Sequence, residues 1–285
     1  MKVGFIGLGN MGHPMAANIL RAQHDLRVCD ICRDRGRDLV EAGARWAESP
    51  QEVAAWSEVV ISSLPGPSEV EAVVLGEEGV FAGLSRGSAY IDTSTNAPAS
   101  MRNIAEIGAA SGFEVLDAPI SGGVFGARDA SLTIFVGGEE NVVDRFRPLL
   151  QCIGKNVVHM GPAGCGNMTK LINNVMMFIN FIGGCEGMAM GIKAGIDPKA
   201  LLDAIKPSMG HSKIMERSMA LYLKGQAIGS ATDLAVKDMH LGVEFGREMG
   251  VPLELSPLVE SIFARFRDGG HGQEDFTEII REFLG

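Results

Sequence analysis

The first twelve residues constrain the fold more strongly than any other stretch of the chain. They read MKVGFIGLGNMG, in which Val3, Phe5 and Ile6 make a short apolar run that leads into glycines spaced G-x-G-x-x-G. An apolar run of this length between glycines is typical of a buried strand, and residues 13–21 that follow read as a helix. The N-terminus is therefore predicted to form a strand, a tight turn and a helix.

Each glycine has a physical task in such a turn. The first allows the tight turn, the second lets a pyrophosphate approach the backbone, and the third lets the helix pack closely on the strand. The phosphates then lie at the helix N-terminus, where free N–H groups and the helix dipole favour anions. The motif alone is weak evidence, since a glycine-rich loop without a ligand has the same pattern. The residues predicted to bind a dinucleotide here are Gly7, Leu8, Gly9, Asn10, Met11 and Gly12.

The position of Asp30 strengthens this reading and bears on the choice of cofactor. A second predicted strand, residues 26–29, ends at Asp30, 18 residues after Gly12. A carboxylate at this point accepts hydrogen bonds from the adenosine ribose hydroxyls of NAD. The same carboxylate would repel the 2′-phosphate of NADP. NAD is therefore the predicted cofactor and NADP the less favoured one, although Arg33 and Arg35 lie close enough in sequence to offset part of the repulsion.

Length and composition set the broad class of the protein. The 285 residues suggest two domains, at about 150 residues each. The net charge of −10 argues against nonspecific binding to nucleic acid or to an anionic membrane. Five scattered cysteines suit a reducing compartment, and the apolar start is too short for a signal peptide. A cytoplasmic location is expected, and no metal-binding residues are predicted.

Strands and helices alternate up to about residue 160, and only helical patterns follow Gly166. Alternation of this kind predicts a doubly wound parallel sheet with helices on both faces. The change in pattern predicts a dinucleotide-binding domain over residues 1–163 and an all-helical domain over residues 164–285, which would serve the substrate and oligomerisation.

Residues 171–192 are apolar enough to suggest a membrane span. They contain Asn173, Asn174, Asn180 and Glu186, which a span of about 20 residues rarely carries together. The stretch is interpreted as a long helix buried in a soluble protein. Its three glycines would allow close helix packing across a subunit interface, and a homodimer or homotetramer is expected.

Four segments resemble the β-hydroxyacid dehydrogenase family, which includes 3-hydroxyisobutyrate dehydrogenase and tartronate semialdehyde reductase. They are GFIGLGNMGHPMA at the N-terminus, DAPISGGVFGA over residues 117–127, GPAGCGNMTKLINN over residues 161–174 and LAVKDMHLG over residues 234–242. They follow the family's order and spacing across nearly the whole chain. The resemblance implies an α/β N-terminal Rossmann-type doubly wound parallel sheet followed by an all-α C-terminal domain. It also implies a nicotinamide cofactor and interconversion of a small hydroxy acid with its semialdehyde.

Lys170 and Asn174 are the predicted catalytic residues. They lie four apart in a predicted helix and therefore share a face. The apolar residues around them would desolvate the amine, which lowers a lysine pKa towards the range useful for general acid–base catalysis. A solvated lysine and a capping asparagine are the plainer interpretation. The resemblance implies that Lys170 moves the proton and that Asn174 holds the substrate hydroxyl or orients the amine.

Ser121, Gly122 and Gly123 follow a predicted strand and form a loop whose N–H groups could face an anion. From the residues alone a plain turn fits equally well. The resemblance implies that this loop holds the substrate carboxylate.

The resemblance also implies further cofactor contacts. Thr95 would lie near the nicotinamide ribose, Leu64 and Pro65 would lie under the cofactor, and Lys237 would reach it from the second domain. A helix cap at Thr95 and a surface ion pair at Lys237 are the plainer interpretations. The chain departs from the family pattern at Ser230, where a phenylalanine is common, and at Ala130, where a glycine is frequent.

The predicted function is hydride transfer between a nicotinamide cofactor and a small β-hydroxy acid of the 3-hydroxyisobutyrate type, or its semialdehyde. One alternative is a glyoxylate, succinic semialdehyde or tartronate semialdehyde reductase that uses NADPH. Another is a catalytically silent dinucleotide-binding scaffold, against which Lys170 and Asn174 count. Imine reductases generally lack the lysine, and phosphogluconate-type enzymes need more chain and more basic residues.

Overall fold

The structure, a computed structural model, describes residues 1–284. It divides into two compact units, Met1–Lys170 and a second that begins at Leu171. The strands of the described chain all belong to the first unit, and the second is built from helices. This matches the predicted α/β domain followed by an all-α domain.

The first unit is organised around one mixed sheet. Its strands are β1 (Lys2–Ile6), β2 (Asp25–Cys29), β3 (Arg45–Trp46), β4 (Val59–Ser62), β5 (Ala89–Asp92), β6 (Glu114–Asp117), β7 (Ile120–Ser121), β8 (Thr133–Gly137) and β9 (Asn156–Gly161). Their order is β3-β2-β1-β4-β5-β6-β8-β7, and β9 pairs with β8. The strand order reverses direction at β1. In such sheets ligands bind beyond the carboxyl ends of the strands, at the point of reversal.

Helices cover both faces of this sheet. They are α1 (Gly12–Arg21), α2 (Arg37–Glu41), α3 (Pro50–Trp56), α4 (Pro67–Leu75), α5 (Val80–Gly83), α6 (Pro98–Ser111), α7 (Gly123–Arg128) and α8 (Glu140–Leu150). Alternate strand residues point to opposite faces, so Ile61 and Ile91 pack in one core cluster while Val60 and Tyr90 pack in the other. All four side chains are fully buried. The central strands β1, β4 and β5 are mostly apolar because both faces of the sheet are covered there.

The fold class is as predicted, but two strands, β8 and β9, run in the opposite direction to the others. The β3-to-β6 part of the sheet is parallel, whereas β8 runs antiparallel to β6 and to β7. Only residues 122–132 connect β7 to β8, and a parallel crossover needs a dozen residues or more. The short α7 therefore returns the chain beside β7 in the antiparallel sense.

The second unit contains most of α9 (Cys165–Lys193), which starts in the first unit, and five later helices. These are α10 (Pro198–Ile205), α11 (Lys213–Tyr222), α12 (Thr232–Glu248), α13 (Leu255–Phe266) and α14 (Ile280–Leu284), the last directly after a 3₁₀ turn over Phe276–Ile279. Its core is a cluster of phenylalanines, in which Phe178 and Phe181 of α9 contact Phe276 edge to face. Such contacts add stability beyond the area they bury.

Helix α9 is buried on one face only. Phe178, Phe181 and Cys185 are at most 3% exposed, whereas Met176 and Met190 are 59% and 70% exposed. In its most apolar 18-residue window 33% is buried. Its length and mean hydropathy would suffice for a membrane span, which is weak evidence because core helices of soluble proteins pass the same test. Within one chain the unit therefore covers only one face of α9, and the other face, which includes Met176, Asn180 and Met190, is exposed.

Candidate active site

The glycine-rich loop between β1 and α1 has the geometry that the motif predicts. Gly7 has a φ of +90°, and a Cβ there would overlap the carbonyl oxygen of Ser63. A Cβ on Gly12 would overlap the carbonyl oxygen of Gly7, whereas a Cβ on Gly9 would meet nothing within 4 Å. The first and third glycines are therefore required by close packing, and the second leaves its backbone open for a ligand. This arrangement fits a pyrophosphate at the N-terminus of α1.

Asp30 lies beside this loop and is held from two sides. Its Oδ2 accepts the Leu8 N–H at 2.6 Å, and its Oδ1 accepts the Cys32 N–H at 2.8 Å. Its side chain is 5% exposed, and Arg35 Nη1 lies 3.7 Å from Oδ1. A carboxylate oxygen can accept more than one hydrogen bond, so Asp30 retains acceptor capacity for ribose hydroxyls.

The two nearby arginines differ in placement. Arg33 forms an ion pair with Glu48 at 2.5 Å and lies over the ring of Trp46. Arg35 instead lines a cavity of about 560 Å³, together with Leu8, Gly9, Asn10, His13, Pro14, Ala17, Arg21, Val124 and Arg128. Arg35 is therefore the cation placed between Asp30 and the cavity at the glycine-rich loop.

The loops that follow β4 and β5 are joined through buried Asp92. Ser94 donates to Asp92 Oδ1 through its N–H at 3.1 Å and its hydroxyl at 2.6 Å, and Ser62 Oγ donates to the same oxygen at 2.9 Å. The Leu64 N–H in turn donates to Ser94 Oγ at 2.9 Å. Burial raises the pKa of Asp92, and these hydrogen bonds act against the rise. The loop predicted to lie under the cofactor, Leu64 and Pro65, is thus held by Ser94. Ser94 directly precedes Thr95, which is half-buried.

A second buried carboxylate, Asp117, accepts hydrogen bonds from the start of α9. The Gly164 N–H donates to its Oδ1 and the Asn167 N–H to its Oδ2, both at 2.7 Å. The Oδ1 of Asn167 accepts the Asn96 N–H, also at 2.7 Å. Burial raises the pKa of Asp117, while the donors from Asn167 and Gly164 lower it. The helix that carries Lys170 is therefore attached at its first turn to the carboxyl ends of β5 and β6.

The segment predicted to hold a carboxylate is a junction between a strand and a helix. Ser121 ends β7 and is half-buried, and Gly123 begins α7. Gly122 and Gly123 have φ values of +139° and +66°, a region that favours glycine. The loop predicted over Ser121, Gly122 and Gly123 is therefore a short connection between β7 and α7, because α7 already begins at Gly123.

In the second unit Asn174 and Lys237 share one partner. Asn174 is 2% exposed, and its Nδ2 donates to Asp238 Oδ2 at 2.8 Å. Asp238 Oδ1 lies 2.8 Å from Lys237 Nζ. The ion pair of the plainer interpretation is therefore present, with the side chains of Lys237 and Asp238 partly buried at 25% and 17% exposed. One carboxylate holds both residues that were singled out in this unit.

Lys170 is half-buried and lies on α9, four residues before Asn174. Lys170, Ser121 and Thr95 belong to the first unit, and Asn174 and Lys237 belong to the second. Among residues 1–284 no group of three His, Cys, Asp or Glu side chains could hold a metal ion.

Sequence reasoning missed the residues that brace these positions. They are Asp92, Asn96, Asp117, Asn167 and Asp238. Three of them lie inside segments that had been singled out, but their partners are distant in sequence. For two of them, Asp92 and Asp117, the available signal was an Asp at the end of an apolar strand.

Comparison with known proteins places the chain in a family over nearly its full length. Residues 2–161 match the model described as the NAD binding domain of 6-phosphogluconate dehydrogenase. Residues 164–283 match the model described as NAD-binding of NADP-dependent 3-hydroxyisobutyrate dehydrogenase.

Individual relatives agree with these matches. The 2-(hydroxymethyl)glutarate dehydrogenase of Eubacterium barkeri is 36% identical, covering 99% of this chain and 94% of that protein. The 3-hydroxyisobutyrate dehydrogenase of Pseudomonas aeruginosa is also 36% identical, with 99% and 98% covered. The crystal structure of 3-hydroxyisobutyrate dehydrogenase from Salmonella typhimurium superposes with a TM-score of 0.89 at 28% identity, covering 98% of this chain and 99% of that one.

Proposed function

The chain belongs to the β-hydroxyacid dehydrogenase family, and we propose that its substrate is a small β-hydroxy acid of the 3-hydroxyisobutyrate type, or the matching semialdehyde. As a member of this family it is an NAD(P)-dependent oxidoreductase that acts on hydroxy acids. A bound nicotinamide cofactor would supply the hydride acceptor for oxidation or the hydride donor for reduction. The two relatives named above act, by their names, on β-hydroxy acids that differ in size, which supports the class of substrate.

We assign the proton transfer to Lys170. When a hydride leaves the hydroxyl-bearing carbon, the hydroxyl proton must also leave, and a neutral lysine amine can accept it. In the reverse direction the ammonium returns the proton to the carbonyl oxygen. The observation that carries this proposal is the attachment of the first turn of α9 to the ends of β5 and β6. It holds the lysine's helix at the edge of the sheet where ligands bind in this architecture.

The other predicted site residues receive the following roles in this proposal. Ser121, Gly122 and Gly123 bind the substrate carboxylate through a hydroxyl and backbone N–H groups, and Asn174 binds the substrate hydroxyl. Cofactor binding is assigned to the glycine-rich loop Gly7–Gly12, Asp30, Leu64, Pro65, Thr95 and Lys237.

The same proposal extends to the domains and to the assembly. Residues 1–163 bind the dinucleotide, and residues 164–285 complete the substrate site and mediate a homodimer or homotetramer. A cytoplasmic location is supported by the five cysteines, which are all free in the structure. Nucleic acid is not a partner in this proposal, because the net charge of −10 would oppose it.

Steady-state assays would test the function directly. The panel contains 3-hydroxyisobutyrate, 3-hydroxypropionate, glycerate and 4-hydroxybutyrate with NAD or NADP, and glyoxylate and the matching semialdehydes with the reduced cofactors. We expect the highest kcat/KM for a β-hydroxy acid with NAD. A higher kcat/KM for glyoxylate or a semialdehyde with NADPH would instead favour the reductase alternative, and the absence of turnover across the panel would contradict the proposal.

A further inference from the structure

We propose that Asp117 is the positioning residue for Lys170: its buried carboxylate fixes the first turn of α9 and thereby sets where the lysine amine can reach. This inference rests on the proposed role of Lys170 and extends it to a residue that does not touch the substrate.

The carboxylate of Asp117 divides its two oxygens between two backbone groups of the helix start. Oδ1 accepts the Gly164 N–H and Oδ2 accepts the Asn167 N–H, each at 2.7 Å. The first N–H groups of a helix have no partner within the helix, and a charged acceptor binds them more strongly than a neutral one. Lys170 follows Asn167 by three residues, which is less than one helical turn. A change in the position of Asn167 is therefore passed directly to Lys170.

Two glycines allow this close approach. A Cβ on Gly137 would overlap Asp117 Oδ1, and a Cβ on Gly166 would lie 2.5 Å from the Phe135 carbonyl oxygen and 2.6 Å from the Asp117 carbonyl oxygen. The start of α9 thus lies directly on the backbone of β6 and β8. Asp117 itself is fully buried, so its position has little freedom to adjust.

The neighbouring carboxylate of Asp92 differs from that of Asp117 in the origin of its hydrogen-bond donors. Asp92 and Asp117 are paired in register on β5 and β6, and both are fully buried. The donors to Asp92 come from Ser62, Ser94 and Asn96, at the ends of β4 and β5. Only Asp117 receives backbone donors from the helix that carries Lys170.

Replacing Asp117 by Asn changes the bonding without changing the size of the side chain. The amide has a single acceptor oxygen, and its NH₂ group would face one of the two backbone N–H donors. One of the two hydrogen bonds from Gly164 and Asn167 is lost, and the new NH₂ group is placed against the backbone N–H that made it. The start of α9 must therefore move. A misplacement of about 1 Å in a catalytic group can reduce turnover about 100-fold.

The test is a double-mutant comparison in single turnovers, with enzyme in excess over the best substrate of the panel and saturating NAD. D117N should slow hydride transfer at least about tenfold when Lys170 is present, and less than about twofold in the K170A background. NADH affinity, read from the fluorescence of the reduced nicotinamide, should stay within about twofold. A merely structural role would give the same fold loss in both backgrounds, and that result, or the absence of any loss in D117N, would overturn the inference.

Gly166→Ala provides a second route to the same displacement and leaves the Asp117 charge unchanged, so it replaces D117N if that variant does not fold. It should show the same dependence on Lys170. Asp197→Asn is the matched control, because Asp197 caps α10 by accepting the Ala200 N–H. This variant should leave the rate of hydride transfer unchanged.

If K170A alone keeps normal turnover, the role proposed for Lys170 fails. If K170A is impaired and the D117N loss simply multiplies with it, only the positioning role of Asp117 fails.

Discussion

Asn174 Nδ2 donates a hydrogen bond to Asp238 Oδ2 at 2.8 Å and so joins α9 to α12. The other oxygen of Asp238 lies 2.8 Å from Lys237 Nζ. The amide assigned to the substrate hydroxyl and the cation assigned to the cofactor are therefore oriented by one carboxylate. A group that is held by its neighbours in this way loses little conformational entropy when it binds a ligand.

Removal of Asp238 should disturb both groups at once. In Asp238→Ala the Asn174 amide and the Lys237 ammonium lose their common acceptor, and we expect kcat/KM to fall about 10- to 100-fold with a raised KM for the hydroxy acid. Glu260→Ala is the control. Glu260 pairs with exposed His240, which lies on α12 as Asp238 does, and exposed ion pairs contribute little to stability. Wild-type kcat and KM in Asp238→Ala would show that this contact does not orient the site.

Lys170→Ala should reduce turnover by about 100-fold or more because the proton on the substrate hydroxyl loses its acceptor. NAD affinity should be kept. Lys170→Arg tests the chemistry further: arginine retains the charge and most of the length but does not deprotonate near neutral pH, so it should be as impaired as alanine in the oxidative direction. Turnover within about threefold of wild type in either variant would contradict the role of Lys170.

We expect the choice between NAD and NADP to depend on Asp30 and Arg35. We expect kcat/KM with NAD to exceed that with NADP by at least about tenfold, because Asp30 would face the 2′-phosphate. Asp30→Ala should narrow this ratio, chiefly by improving NADP, and adding Arg35→Ala should remove that improvement. Arg33→Ala is the matched control, since Arg33 is paired with Glu48. A wild-type preference for NADP would overturn this reading of Asp30.

The parts of the structure that local sequence encodes were predicted well. The strand, turn and helix of residues 1–21 follow from apolar spacing and from Gly7 and Gly12, whose packing leaves no room for a Cβ. Likewise the Glu52 N–H donates to Ser49 Oγ at the start of α3, and Pro50 occupies its first position; a Ser cap followed by Pro is a local pattern typical of a helix N-terminus. The direction of β8 could not be read in this way, because the apolar pattern of a strand is the same in both senses.

The braces of the candidate site were not predictable for a different reason. Asp117 and Asn167 are 50 residues apart, and Asn174 and Asp238 are 64 apart. Each pair forms only because the end of one element meets the start or side of another, which depends on the packing of both. The roles of Lys170, Asn174 and the Ser121–Gly123 junction remain predictions.

Cysteine reactivity gives a test of the fold around Asp30. Burial raises the pKa of Cys29 to about 11 and that of Cys185 to about 12, whereas Cys32 is exposed. At pH 8 only about one Cys29 thiol in a thousand would be ionised, and the thiolate is the reactive form. Iodoacetamide at pH 8 should therefore label Cys32 and leave Cys29 and Cys185 unmodified, as read by tandem mass spectrometry. Unfolding in urea should make all three reactive, and equal labelling of Cys29 and Cys32 in the folded enzyme would contradict the described packing.

The exposed face of α9 predicts that copies of the chain associate. Ile172, Met176 and Met190 are 52%, 59% and 70% exposed, and their spacing places them on one side of the helix. Gly183 and Gly187 fall on the same side, and a Cβ on either would meet nothing within 4 Å, so a second helix could approach closely there.

We expect light scattering at micromolar concentration to report a dimer or a tetramer. Met176→Glu should shift the population to smaller species, because the charge would have to be buried at the interface. Met209→Glu is the matched control: Met209 is 104% exposed and lies outside α9, so it should leave the mass unchanged. A wild-type monomer, or an unchanged assembly in Met176→Glu, would show that this face does not carry the interface.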